Sequence, residues 1–247
     1  MAKLRRILTL LVCLALPHRL KPFLLRLIGH KVANGAIIGC SLVLVDRLLM
    51  ERGARIGFGN LVQVPRVVLR TGAYIQNFNM VSTRAAIVLA QNGAIGNRNQ
   101  IKGAPAIGRR RSLLSIGLWS KITAGHVIDV SESIIIGNFS TIAGAGTQIW
   151  THGFVHMSEG VARAAVRGSV RIGNNVYIGS MSCLSPGIVI ASKIAVGAHS
   201  SVSASLLLPG VYVSQKLRYI EKTPEERLAG LVRLPDDGAQ PAYWRAG

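Results

Sequence analysis

The sequence predicts an all-β fold, a parallel β-solenoid in which short strands wind into stacked coils, with short helices at both ends of the chain. Two observations predict this class. Apolar residues recur at every sixth position over most of the chain, a spacing that fits neither an amphipathic helix nor an alternating strand. Only 5% of the residues are aromatic whereas 27 are glycine, so we expect a narrow core of stacked aliphatic side chains.

The six-residue period is clearest late in the chain, over six consecutive positions: Ile172, Ile178, Leu184, Ile190, Val196 and Val202. Three extended segments of six residues, joined by tight corners, close a triangular coil of about eighteen residues. Stacking such coils buries the apolar positions in one continuous core. The same period, with one-residue slips, predicts a solenoid domain over 34–212.

The first 33 residues are predicted to form a basic, amphipathic helical segment. Seven Lys or Arg occur in residues 1–31, and the first carboxylate in the chain is Asp46. The apolar run Ile7–Leu16 has ten residues, about half of what spans a bilayer. Two interpretations stay open: residues 1–31 lie peripherally in the anionic interface of a membrane, or they cap the end of the solenoid.

Charge and cysteine content limit the cellular setting. A formal net charge of +19 indicates an acidic partner such as a lipid surface or a phosphorylated ligand. The basic residues are not interleaved with aromatics, so we do not expect a nucleic-acid partner. The chain has three cysteines without metal-binding spacing, and no small-residue cleavage site follows the first apolar run. Both observations favour a cytoplasmic location, with peripheral contact at the inner face of the membrane.

Two stretches break the period and are predicted to protrude: a basic corner over 108–112 and an inserted loop over 152–169. Ile142 and Ile172 flank the second break and are thirty residues apart, five sixes, so the period resumes in phase. An insertion that leaves the scaffold unchanged is typical of a functional loop.

The second break opens with a histidine, in the stretch IWTHGFVH over 149–156. His152 is the candidate catalytic base, because an imidazole with a pKa near neutral suits the removal of a hydroxyl proton. Trp150, His156, Asn79 and Asn99 are the substrate-binding candidates, although asparagines at these positions are also expected to turn corners.

On this scaffold and motif, the chain resembles the hexapeptide-repeat acyltransferases over residues 35–212, and IWTHGFVH is most similar to their polysaccharide O-acetyltransferase branch. The resemblance implies a left-handed parallel β-helix, a homotrimer with sites between subunits, and acetyl-CoA as the acyl donor. It also implies that His152 is the general base.

The resemblance places the donor along the late coils YIGSMS and AVGAHS, with a basic pair further on for its phosphates. The implied donor-binding residues are Gly179, Ser180, Gly197, Ala198, Lys216 and Arg218. The family's usual Gly-Asn-Pro segment is absent, since the chain reads LLLPGVYVSQKLRYIEK there.

The predicted function is transfer of an acetyl group from acetyl-CoA to a saccharide hydroxyl in bacterial capsule, exopolysaccharide or lipid-linked glycan biosynthesis, without a metal. The alternatives are a sugar N-acetyltransferase, a serine acetyltransferase and a non-catalytic scaffold. A further alternative is a zinc carbonic anhydrase-like protein, in which His126, His152 and His156 would be the ligands.

Residues 213–247 are predicted to form a helical tail. Thr223, Pro224 and Glu226 supply an N-cap, a first-turn proline and a capping-box glutamate, so a short helix is expected to run to about Val232.

Overall fold

The computed structural model describes residues 2–104, 112–214, 232–233 and 243–244. Residues 1–214 form one compact unit and residues 215–247 a second. The first unit contains two helices followed by parallel strands in stacked coils, which confirms the predicted all-β solenoid. The left hand of the coils stays a prediction from the resemblance.

Two long strands, Leu42–Met50 and Leu61–Leu69, pass a corner of the coil without a break, so each belongs to two faces. They pair with each other along most of their length. The first half of Leu61–Leu69 then pairs with Met80–Ser82 and its second half with Ala86–Leu89.

The strands of the first unit, apart from the inserted hairpin described below, form three parallel stacks, named here face one, face two and face three in the order in which the chain visits them. Face one comprises Lys31–Val32, the second halves of the two long strands, Ala86–Leu89, Leu113–Ile116, Ile134–Ile136, Val170–Ile172 and Val189–Ile190. Face two comprises Ile37–Ile38, Arg55–Ile56, Tyr74–Ile75, Ala94–Ile95, Lys121–Ile122, Thr141–Ile142, Tyr177–Ile178, Ile194–Val196 and Gly210–Tyr212. Face three comprises the first halves of the long strands, Met80–Ser82, Gln100–Lys102, Val127–Asp129, Gln148–Ile149, Cys183–Leu184 and Ser201–Val202.

Each face contributes columns of buried aliphatic side chains to one core. The six positions of the predicted run lie on the three faces in turn and pair as Ile172 with Ile190, Ile178 with Val196 and Leu184 with Val202. None of the six is more than 5% exposed, so the six-residue period does mark the core. Burying each such side chain contributes about 1.5–3 kcal/mol.

A ladder of asparagines lies at the corner between faces two and three. Asn60 Oδ1 accepts hydrogen bonds from the backbone N–H and Nδ2 of Asn79, and Asn79 Oδ1 accepts the same pair from Asn99. The Nδ2 groups of Asn79 and Asn99 also donate to the carbonyls of Gly96 and Thr123. Asn79 and Asn99 are at most 1% exposed. Their polar atoms are used inside the coil, which speaks against the predicted role of these two residues in substrate binding.

Two helices, Ala2–Ala15 and Lys21–Leu27, precede the solenoid and pack at its first coil. Cys13 and Leu25 belong to the same buried core as the strands. The Lys21 ammonium donates to the carbonyls of Cys13 and Gly39, so the helices cap the open end of the solenoid. No helix in the described residues is long and apolar enough to cross a bilayer.

The inserted segment is an antiparallel hairpin of two strands, His152–His156 and Arg163–Arg167, rather than an irregular loop. After it, Val170–Ile172 resumes face one beside Ile134–Ile136. The other predicted break falls largely on residues 105–111, which lie outside the described residues.

In the second unit, the strands Val232–Arg233 and Tyr243–Trp244 pair in antiparallel fashion. The helix predicted from Thr223 lies outside the described residues up to residue 231, and its predicted end, Val232, is in a strand instead.

Candidate active site

His152 stands at the root of the hairpin, where the chain leaves face three for face one. Its Nδ1 lies 2.7 Å from Oδ2 of Asp129. Asp129 ends the face-three strand of the preceding coil, and the pairing of Ile128 with Ile149 sets the register between the two coils. The site is thus assembled from two stacked coils, and the scaffold fixes its geometry.

Asp129 is buried, at 5% exposure, and accepts several hydrogen bonds. The backbone N–H and hydroxyl of Ser131 donate to Oδ1, and those of Thr151 donate to Oδ2. Burial by itself raises the pKa of Asp129, but the hydrogen bonds from Ser131, Thr151 and His152 outweigh burial and hold the pKa below its ordinary value. The carboxyl group is therefore ionised at neutral pH.

An ionised carboxylate can only accept hydrogen bonds, so the neutral imidazole of His152 must carry its proton on Nδ1. The lone pair is then on Nε2. The His152 side chain is 16% exposed, which leaves the ring accessible while the solenoid and hairpin enclose most of it. This arrangement is suited to general-base chemistry at Nε2.

Two aromatic side chains, two positions before and two positions after His152 in the chain, pack against its imidazole. The rings of Trp150 and Phe154 stand edge to face against His152, with centroids at 6.5 and 5.9 Å. Trp150 is tied by its Nε1–H to Gln148 Oε1, and the Arg163 guanidinium lies 4.3 Å from the Phe154 ring centroid. Trp150 is 36% exposed, and its contact with substrate stays a prediction.

The hairpin root is clamped to the coil that carries Asp129. Arg167 lies directly across the hairpin from His152 and its guanidinium is 3.3 Å from Glu132 Oε1. Thr151 Oγ1 accepts from the Glu132 N–H while donating to Asp129. These contacts bind the hairpin strands to the rigid scaffold next to the candidate base.

His126, His152 and His156 do not come together. His126 is buried, and its ring nitrogens bond the Thr147 N–H and the Thr123 hydroxyl. Burial lowers the pKa of His126, although its hydrogen bonds act in the opposite direction. His156 is exposed, four residues along the strand, about 14 Å at the rise of a strand. Within the described residues no three metal-ligating side chains form a cluster, so the structure gives the zinc alternative no site there.

Four of the predicted donor-binding residues lie at the corner from face two to face three, at the opposite edge of face three from His152: Gly179, Ser180, Gly197 and Ala198. The backbone groups of Gly179 and Gly197 are used between coils: their N–H groups donate to Val196 and Tyr212, and the Gly179 carbonyl accepts from Thr147.

Ser180 and Ala198 are the members of this set that still offer backbone donors. Their N–H groups donate no hydrogen bond within the part of the chain that the structure describes. Ser180 is half-buried and Ala198 is exposed. A long amide-containing arm fits such a row of spaced N–H groups. Lys216 and Arg218 lie outside the described residues.

Sequence reasoning missed Asp129, which orients His152. One signal was present: Asp129 is one of only ten acidic residues in the chain and interrupts an apolar strand in VIDVS. Its position 23 residues before His152 is close to one coil, but coil length varies, so spacing alone does not select it.

The fold and site define this protein as a hexapeptide-type parallel β-solenoid with a carboxylate–histidine pair at the root of an inserted hairpin. No protein family profile matches the sequence, and no curated protein matches it. Solved structures do show similarity to it.

One similar structure is the polySia-specific acetyltransferase NeuO, at 13% identity and a TM-score of 0.34, over 69% of this chain and 89% of that one. Another is the acetyltransferase domain of PglB from Neisseria gonorrhoeae FA1090, at 12% identity and a TM-score of 0.25, over 83% of this chain and 74% of that one. At these values neither protein's activity transfers to this chain by similarity.

Proposed function

We propose that this protein transfers an acetyl group from acetyl-CoA to a saccharide hydroxyl, with His152 as the general base and Asp129 as its positioning residue. The observation that carries the proposal is the 2.7 Å contact between His152 Nδ1 and Asp129 Oδ2 at the root of the hairpin. The resemblance of IWTHGFVH to the polysaccharide O-acetyltransferase branch supports the choice of acceptor.

In the proposed reaction, His152 Nε2 takes the proton of the acceptor hydroxyl while the hydroxyl oxygen attacks the thioester carbonyl carbon. A C–O bond forms, the C–S bond breaks, and the imidazolium returns its proton to the departing sulfur. The Asp129 carboxylate stabilises the imidazolium, as in other carboxylate–histidine pairs. General-base catalysis of this kind contributes about 10²–10⁴-fold to the rate.

We place the donor at the corner that carries Ser180 and Ala198, whose backbone N–H groups donate no hydrogen bond within the described residues. This corner and His152 lie at opposite edges of face three. A donor bound at one copy would therefore meet His152 of a neighbouring copy, which is why we also propose a homotrimer with shared sites.

The proposed setting is the cytoplasmic face of the membrane, during assembly of a capsule, exopolysaccharide or lipid-linked glycan. A net charge of +19 supports a location near anionic lipid or anionic glycan. Sugar amines and serine remain alternative acceptors, because the same base would activate either nucleophile.

The test is CoA release from acetyl-CoA with a panel of soluble glycans, amino sugars and serine as acceptors. We expect a glycan-dependent rate for the wild type and a loss of about 10²–10⁴-fold for His152→Asn. His18→Asn is the matched control, since His18 is exposed between the two helices, and its rate should equal that of the wild type. Full activity of His152→Asn would contradict the mechanism. Turnover with serine or amino sugars alone would show that the acceptor is one of these and not a saccharide hydroxyl.

A further inference from the structure

The two N-terminal helices expose a stripe of apolar side chains on the side away from Cys13 and Leu25, which are buried in the core. The exposed apolar residues of the first helix recur at helical spacing and include Leu4 (61%), Ile7 (53%), Leu8 (39%), Leu11 (54%) and Leu14 (43%). Phe23 and Leu27 on the second helix are 54% and 70% exposed. A helix on a protein surface normally buries its apolar stripe, so this stripe needs a partner.

Polar side chains of the same helices face the protein, beside the buried Cys13 and Leu25. Thr9 is buried and hydrogen-bonded to His30. Arg6 makes two contacts of 2.6 and 2.7 Å with the Asp46 carboxylate. Buried Lys21 donates to the Gly39 carbonyl of the first coil. These contacts fix the orientation of the helices, so the apolar stripe cannot turn inward without breaking them.

A basic cavity of about 310 Å³ lies between the first helix and the start of the solenoid. Its lining includes Arg5, Lys31, Arg47 and Arg66, and none of its lining residues in the described part of the chain is acidic. Arg47 and Arg66 are direct neighbours in the strand ladder, where like charges repel. The nearby Asp46 carboxylate is engaged by Arg6, and the contact with Arg6 is the main reason that its pKa is lowered. Four cations around one cavity therefore favour a phosphate-sized anion.

We propose that this end of the protein docks on an anionic phospholipid bilayer. The apolar stripe then lies among the acyl chains, and a lipid phosphate lies in the Arg5–Lys31–Arg47–Arg66 cavity. A bilayer supplies the apolar cover and the phosphate together. A second copy of the chain would bring a second set of these cations to the contact, which disfavours it as the occupant. The inference goes beyond the proposed reaction, since docking needs no acetyl transfer.

The cavity lies on the same edge of the solenoid as His152. Arg66 is at the corner between faces three and one. Four successive strand pairings along face three connect its strand to Gln148–Ile149, which precedes His152. At the spacing of paired strands this is about 19 Å. A docked protein would therefore hold His152 close to the membrane but outside it.

The experiment is flotation of the full chain with phosphatidylcholine vesicles, with and without phosphatidylglycerol. We expect the wild type to float with the anionic vesicles only. The double variant Arg47→Gln/Arg66→Gln should bind the anionic vesicles about thirtyfold more weakly, because each cation near an anionic surface contributes about 1 kcal/mol to binding. The matched control, Arg55→Gln with Arg98→Gln, removes two exposed charges elsewhere and should bind like the wild type.

The apolar stripe is tested by Leu4→Gln with Leu11→Gln, against Leu207→Gln with Leu208→Gln, which are exposed leucines late in the solenoid unit. Only the first pair should lose flotation. Unchanged binding by the Arg47 and Arg66 variant overturns the phosphate site. Unchanged flotation of the Leu4 and Leu11 variant, or a change in its oligomeric mass alone, overturns the membrane contact. If the protein binds inorganic phosphate in the absence of vesicles and does not float with anionic vesicles, the cavity serves a free anion instead, and docking is overturned.

Discussion

Asp129 Oδ2 accepts a 2.7 Å hydrogen bond from His152 Nδ1 across one turn of the solenoid, although 23 positions separate the two residues in the chain. This contact decides which ring nitrogen carries the proton. It also connects the hairpin to the scaffold, because Thr151 beside His152 donates to the same carboxylate oxygen. The chemistry of the site and its stability thus depend on one buried carboxylate.

Replacing this carboxylate by an amide should remove most of the activity. In Asp129→Asn, the side-chain NH₂ can donate to His152 Nδ1, which moves the ring proton to Nε2 and leaves no base there. We expect kcat to fall by about 10²–10⁴-fold with little change in KM for acetyl-CoA. Steady-state kinetics of CoA release measures this.

The control for Asp129→Asn is Glu51→Gln, which removes a carboxylate that pairs with Arg70 on the surface and should leave kcat unchanged. ¹⁵N NMR of the imidazole should show the exchange of tautomers in the Asp129 variant. If kcat falls while the tautomer stays as in the wild type, Asp129 acts only through folding.

The same carboxylate should make stability depend on acid pH. Its pKa in the folded protein lies below the ordinary value of 3.8 because hydrogen bonds from Ser131, Thr151 and His152 outweigh the effect of burial. The stabilisation is therefore complete above pH 3.8 and is lost as the pH falls through the folded-state pKa. The thermal midpoint of the wild type should exceed that of Asp129→Asn near neutral pH, and the difference should shrink below about pH 4. A difference that stays constant down to about pH 2 would contradict the assignment.

The sequence was sufficient for the solenoid because its signal is local and repeated. Ile172, Ile178 and Leu184 fall on successive faces, and each carries the same six-residue spacing. Asparagines 60, 79 and 99 carry a second repeat, nineteen and twenty residues apart, which is the signature of a stacked ladder rather than of a binding site.

The rest of the site depends on which residues stack, and variable coil lengths conceal this. Ile178 lies eighteen residues before its partner Val196, whereas Ile75 lies twenty residues before Ile95. No spacing rule therefore pairs Asp129 with His152. The hairpin was likewise missed, because the exposed strand Arg163–Arg167 has no buried face to produce an alternating pattern.

Substitution of Gly179 tests whether this glycine at the proposed donor corner is needed for close packing of adjacent coils. A Cβ at this position would lie 2.5 Å from the backbone nitrogen of Ala198 in the next coil, so the coils must separate to accommodate it. Gly179→Ala should lower the free energy of unfolding by about 1–3 kcal/mol. Gly153→Ala is the control, since a Cβ there would meet nothing within 4 Å, and it should be neutral or slightly stabilising. Chemical denaturation measures both variants, and equal stability of the two would show that close stacking does not require Gly179.

The proposal that neighbouring copies share each site can be tested by mixing two inactive variants. His152→Asn removes the base, and Ala198→Trp places a bulky ring at the exposed donor corner. Each variant alone should be inactive. In a closed trimer that contains both, one interface of the three combines an intact His152 with an intact donor corner, so about a third of the wild-type rate should return. Co-expression with two different tags and purification on both isolates the mixed trimers for the CoA-release assay. Mixed trimers that stay as inactive as doubly tagged His152→Asn would place the base and the donor corner of one site within a single chain.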